Sequence, residues 1–148
     1  MFQAPAPSSV TWLVPVIKAP MPTEAQIHQS IVQWLRASAV PGVIVLHVPN
    51  GSTLKGGARE WQHFERLGAV AGVPDLLILG PDGRARAIEV KAAQGALSES
   101  QKDFAVSLRK ANVPWYVCRS LDEAQKICRQ WGLVRLPASL TSLMTAGA

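Results

Sequence analysis

Residues 72–91 read Gly-Val-Pro-Asp-Leu-Leu-Ile-Leu-Gly-Pro-Asp-Gly-Arg-Ala-Arg-Ala-Ile-Glu-Val-Lys. Two mainly apolar runs, Leu76–Leu79 and Ala85–Val90, flank the turn tripeptide Pro81-Asp82-Gly83. Short apolar runs bounded by Gly, Pro and Asp predict buried strands joined as a hairpin, since those three residue types supply the backbone angles and local hydrogen bonds of a tight turn. A three-residue loop sets Gly80 against Arg84, and counting outward from that pair sets Asp75 against Glu89. A loop longer by one residue would bring Val90 opposite Asp75 instead, so loop length decides the local chemistry.

Asp75, Glu89 and Lys91 stand where buried strands should carry apolar side chains. Directly opposed residues of antiparallel strands hold their Cβ atoms about 4.5–5.5 Å apart. Two carboxylates at that separation resist joint ionisation unless a cation lies between them. Lys91, two residues beyond Glu89, points to the same face. Two acids and an ammonium on one side of a buried hairpin are most economically explained as a divalent metal site with a neighbouring positive charge.

Pro74-Asp75 with Glu89-Val90-Lys91 resembles the Pro-Asp…Glu-x-Lys core of the PD-(D/E)xK nuclease superfamily. Glu24 upstream and Ser98-x-x-Gln101 downstream narrow the resemblance to the virus-type replication-repair nuclease (VRR-NUC) family, over roughly residues 23–120. In that family a helix-borne Glu precedes the core and a Gln on the following helix completes it. The resemblance implies an α/β, restriction-endonuclease-like fold, a central mixed β-sheet flanked by helices. It also implies a catalytic set of Glu24, Asp75, Glu89, Lys91 and Gln101.

The chain has 148 residues, enough for one domain with a proper core. Hydrophobic residues make up 48% and charged residues 17%, a balance that excludes a disordered chain. Net charge is +5 with a pI near 9.7, which favours polyanionic partners. Cys118 and Cys128 are too few for a disulfide framework and lack zinc spacing, so they read as core thiols in a reducing, cytoplasmic setting.

Residues 1–22 contain Pro5, Pro7, Pro15, Pro20 and Pro22 and are expected to form an irregular arm. The apolar patch Val10–Ile17 is broken by Pro15 and too short to span a bilayer, so no membrane association is expected. Thr23-Glu24-Ala25-Gln26 is a capping box opening a helix to about Ala37, with Ile27, Ile31, Trp34 and Leu35 inward. Glu24 falls on that stripe. It is either an acid favoured by the helix dipole or an active-site acid, and the resemblance favours the second.

Val43–Val48 reads as a strand ending at Pro49-Asn50-Gly51. The following Gly51-x4-Gly56 lacks the Lys-Ser/Thr of a phosphate-binding P-loop, having Gly57-Ala58 there, so no nucleotide cofactor is expected. Lys55 and Arg59 either track a DNA backbone or belong to a solvated loop and helix. Asn50 and Ser98 join them as DNA-contacting candidates, Asn50 through the resemblance. Ala58–Leu67 is expected to be helical. His28, His47 and His63 share no metal-ligand spacing and read as structural or surface histidines, and no Gly-x-Ser-x-Gly elbow offers a nucleophile.

Ser98-Glu99-Ser100-Gln101 is a second capping box, opening a helix to about Ala111. Gln101 heads the stripe continued by Phe104, Ala105 and Leu108. It closes the cap, and the resemblance also sets it beside the metal centre; a helix N-terminus there is also a natural phosphate site. Val113–Cys118 reads as a central strand whose Trp115 and Tyr116 either stack on bases or, as is commoner on a central strand, lie in the core, and Ser120 caps a last helix with Ala124, Ile127, Cys128 and Trp131 inward. The domain is expected to run over residues 23–132, with 133–148 a frayed tail or a dimer contact.

Hard oxygen ligands from Asp75, Glu89 and the Val90 carbonyl suit Mg²⁺ or Mn²⁺. Glu24 is expected to bind through water or to hold a second ion. The expected activity is that of a metal-dependent DNA endonuclease. The resemblance further implies branched DNA as substrate, as for a Holliday-junction resolvase, a homodimer, and a role in DNA repair in a phage or bacterium. A general or nicking duplex nuclease, a non-catalytic DNA-binding module and a plain α/β domain with a structural ion pair are the alternatives.

Overall fold

The computed structural model describes residues 20–49 and 57–135. In chain order the elements are α1 (Glu24–Ser38), β1 (Ile44–His47), α2 (Gly57–Arg66), β2 (Leu76–Leu79), β3 (Ala85–Val90), α3 (Glu99–Lys110), β4 (Trp115–Cys118) and α4 (Leu121–Gln130). The four strands form one sheet in the order β1-β2-β3-β4. The first three are antiparallel and β4 runs parallel to β3. The α3 crossover makes that parallel pairing possible.

The hairpin has the three-residue loop. Leu76 pairs with Ile88 and Leu79 with Ala85, and the Gly80 N–H donates to the Arg84 carbonyl at 2.9 Å. Asp82 accepts from the Arg84 N–H at 3.1 Å and from Arg86 Nη2 at 2.7 Å. The Arg86 hydrogen bond, with that from the Arg84 main chain, holds the Asp82 carboxyl well below the usual carboxylate range.

Both capping boxes form. The Gln26 N–H donates to Thr23 Oγ1 at 3.3 Å and Gln26 Oε1 accepts from the Thr23 N–H at 2.9 Å. Ser98 and Gln101 repeat the arrangement at 3.3 and 2.9 Å. One face of the sheet, through Leu76, Ile78, Ile88, Val90 and Cys118, packs on Ile27, Ile31 and Leu35 of α1 and Ala124 and Cys128 of α4. Leu133 and Val134 join this core, and Val134 bridges Ala39, so the packed domain continues through Val134. Burial pushes the thiols of Cys118 and Cys128 up to about 12, as befits inert core residues. The opposite face carries α3, whose Ala105 and Leu108 are buried.

Several expectations are corrected. Strand β1 is shorter than Val43–Val48 and lies at an edge, with Ile44 and Leu46 about half exposed. Strand β4 is also shorter, and it is an edge strand rather than a central one. Tyr116 is accordingly 44% exposed and Trp115 half-buried. Helix α2 begins and ends one residue earlier than expected and buries none of its residues. Among the described residues, no helix is long and apolar enough to cross a membrane. The apolar run Val10–Ile17 and residues 136–148 lie outside the described residues.

Candidate active site

The register that pairs Leu76 with Ile88 brings Asp75 opposite Glu89 at the end of the hairpin. Asp75 Oδ2 accepts the Val90 N–H at 2.8 Å, a bond that ties the first acid to the strand of the second. Glu89 is 1% exposed. Its Oε1 accepts from Lys91 Nζ at 2.8 Å and from Gln101 Nε2 at 2.5 Å. Among the described residues, its Oε2 is buried with no hydrogen-bond partner. Such an atom is costly to leave unmatched in a protein interior.

The electrostatics follow from this crowding. Burial pushes the Glu89 carboxyl above its ordinary value; the Lys91 hydrogen bond opposes that rise and the Asp75 charge adds to it. Burial works against the Lys91 ammonium, but the Glu89 bond and charge, with smaller contributions from Glu24 and Asp75, outweigh it and raise the lysine.

Local backbone chemistry brings these groups together. Gln101 closes the Ser98 capping box with Oε1, which leaves Nε2 aimed at Glu89. One side chain therefore both closes the cap and bonds Glu89. The loop between Lys91 and Ser98 is held by Arg119, whose Nη1 donates to the carbonyls of Ala92 and Gly95 at 2.9 and 2.7 Å. Entry into β2 is equally constrained. Gly72 has φ +81°, and a Cβ there would collide with the Ser100 main-chain carbonyl, so glycine is required where the chain crosses the first turn of α3.

A cleft of about 750 Å³ opens over this cluster, lined among others by Glu24, Trp61, Lys91, Ser98, Gln101 and Phe104. Asp75 and Glu89 are buried and do not line it, whereas Lys91 and Gln101, both bonded to Glu89, do. Glu24 lines the cleft from the first turn of α1. It is exposed rather than packed inward with Ile27 and Ile31. Ser98 is the exposed N-cap of α3, and Arg59 is exposed on the first turn of α2. Asn50 and Lys55 lie outside the described residues. His28 and His47, read from the sequence as structural or surface histidines, line a second hollow that shares Glu24 with the cleft.

A hard cation fits this donor set. The unpartnered Glu89 oxygen, the opposed Asp75 carboxylate and the main chain of Val90 offer oxygen ligands beside an ammonium. Among the described residues no three His, Cys, Asp or Glu side chains gather as a ready-made ligand cluster. Water and substrate oxygens would therefore complete the coordination, as is usual for Mg²⁺.

Comparison with known proteins gives the fold and the family. A solved structure described as "VRR_NUC domain protein" superposes with a TM-score of 0.61 at 22% identity, covering 80% of this chain and all of that one. Another, described as "VRR_NUC domain", superposes with a TM-score of 0.51 at 19% identity, covering 73% of this chain and 97% of the other. At these identities the likeness establishes the fold. No curated protein matches the sequence. The model of the VRR-NUC domain matches residues 14–122 of this chain. The chain thus belongs to the VRR-NUC domain family, and membership implies a nuclease acting on DNA.

Proposed function

We propose that the protein is a Mg²⁺- or Mn²⁺-dependent DNA endonuclease that acts on branched DNA in the manner of a Holliday-junction resolvase. The observation that carries this reading is the buried, unpartnered Oε2 of Glu89 beside Asp75. A carboxylate pair so placed only destabilises a metal-free fold, and a divalent ion reverses that penalty. Asp75, Glu89 and the Val90 carbonyl would hold the ion, and Glu24 would reach it through water or with a second ion. Once bound, such an ion neutralises the phosphate and lowers the pKa of a bound water.

The remaining roles belong to the chain itself. Lys91 keeps its proton, which suits it to orient the attacking water or stabilise developing negative charge rather than to act as a base. Gln101 holds Glu89 in one rotamer. Ser98 and the N-terminal turn of α3 offer dipole and hydroxyl to a DNA phosphate, and Arg59, with Asn50 and Lys55, extends the contact along the backbone. The apolar side chains of Ile44, Leu46 and Leu79 share one exposed sheet face, and Phe64 and Leu67 stand exposed on and just after α2, which supports a homodimer. Two symmetric sites suit two strands of a four-way junction.

The test compares wild type with Asp75→Ala on labelled four-way junction, flap, nicked and linear duplex DNA, with Mg²⁺, Mn²⁺ or EDTA. Metal-dependent paired nicks on the junction, absent from the variant, are expected. Equal cutting of all substrates would replace branch specificity with a general nuclease. Salt-sensitive binding without cutting would leave a binding module on a nuclease fold.

A further inference from the structure

His28 and His47 take no part in the chemistry above, yet they stand against it. With Glu24, Ala25 and Gln29 they line a hollow of about 310 Å³. His28 lies one turn after Glu24, on the same helix face. Its ring meets that of His47 edge to face, with centroids 4.8 Å apart and planes at 77°. His47 Nδ1 lies 3.2 Å from the main-chain carbonyl of Asp75. A carbonyl oxygen only accepts, so this bond requires the proton on Nδ1. The same oxygen accepts the Val48 N–H at 2.9 Å.

These contacts form a continuous path from Glu24, through one helical turn, His28 and His47, to the backbone of Asp75. The placement matters because Asp75 lies just outside the strand ladder. The β1–β2 pairing ends at His47 opposite Leu76, and the preceding residue, Pro74, has no N–H to anchor the chain. The backbone carrying the first acid is thus held from the β1 side by the Val48 N–H and the imidazole.

We propose that His47, backed by His28, is a positioning residue that fixes the backbone of Asp75 relative to Glu24 and thereby sets the affinity of the site for a divalent cation. This rests on the reading of Asp75 and Glu24 as ion-binding acids. Groups that hold a metal ligand in place typically change metal affinity about 10–100-fold when lost.

The test is calorimetric binding of Mn²⁺ and of Mg²⁺ to the DNA-free protein, together with the metal-free melting midpoint. Wild type is compared with His47→Phe and His47→Asn. Phenylalanine keeps a ring for His28 but has no donor; asparagine loses the ring but sets an amide N–H near the Nδ1 position. His47→Phe should weaken both ions about tenfold, His47→Asn should restore most of that loss, and melting should stay unchanged because His47 is exposed.

Unaltered ion affinity in His47→Phe would overturn the proposal. So would a defect that asparagine does not repair, or one explained by an equal loss of metal-free stability. Weakening of Mn²⁺ alone would make the imidazole a direct ligand, since Mg²⁺ is indifferent to nitrogen donors, and would equally overturn it. Wild type that binds neither ion would remove the metal reading itself, and this proposal with it, a result distinct from all of these.

Discussion

Replacing Asp75 by asparagine should make the metal-free protein more stable and the metal-loaded protein less so. The amide keeps an oxygen to accept the Val90 N–H now bound at 2.8 Å, so the strand contact survives. What disappears is one charge facing Glu89. Opposed side chains have Cβ atoms about 5 Å apart. Two unit charges at that separation repel by about 3 kcal/mol at an effective dielectric near 20 and by about 0.8 kcal/mol at that of water. Attraction between Asp75 and Lys91 is lost too, but it is the smallest of the influences on that ammonium and offsets only part of the gain. A net gain of about 1–2 kcal/mol follows, or a rise of about 3–8 °C in melting midpoint for a domain of this size. Wild type at a Mn²⁺ concentration a hundred times its Kd should gain about 2.7 kcal/mol from the ion, and Asp75→Asn should gain none. Thermal melting with EDTA and across a Mn²⁺ titration reads both effects, which have opposite signs. The reasoning fails if the variant melts below wild type in EDTA, or if Mn²⁺ stabilises it as much as wild type.

Three further outcomes follow from the same geometry. Gln101→Ala removes both the cap closure and the Glu89 bond; denaturant melts should show a loss of about 1–2 kcal/mol, and DNA cleavage should fall more than Mn²⁺ binding does. Gly72→Ala introduces a side chain at φ +81° into the Ser100 carbonyl; strain alone should cost at least about 1–3 kcal/mol, and hydrogen exchange should quicken in the first turn of α3. The Glu89 carboxyl, raised above its ordinary 4.5 by burial, keeps its proton to higher pH in the folded state than in the unfolded state. Its contribution to metal-free stability is therefore full below 4.5 and lost as pH rises through the raised value. An ion competes with that proton, so calorimetry should show Mn²⁺ affinity rising with pH through this window and proton uptake by the buffer on binding; a Mn²⁺ affinity independent of pH would remove Glu89 from the ligand set.

Much of this molecule is legible in its sequence because the signals are local. Pro81-Asp82-Gly83 specifies a loop length, loop length specifies register, and register alone sets Asp75 against Glu89 with Lys91 on the same face. The two capping boxes close within four residues each, so they mark the starts of α1 and α3. The core faces of those helices follow from their 3.6-residue period.

Tertiary structure decided what depends on residues distant in the chain. Two short apolar strands look alike whether central or at an edge, and only the assembled order put β1 and β4 at the edges, with Tyr116 and Leu46 exposed. Period assigned Glu24 to a buried stripe, but burial needs a packed surface opposite, and Glu24 is exposed where Ile27, three residues on, is buried. The link from Gln101 to Glu89 and the approach of His28 to His47 each join segments separated by a dozen residues or more. Such contacts carry no period or spacing in the sequence. They exist only once the sheet and its helices have packed.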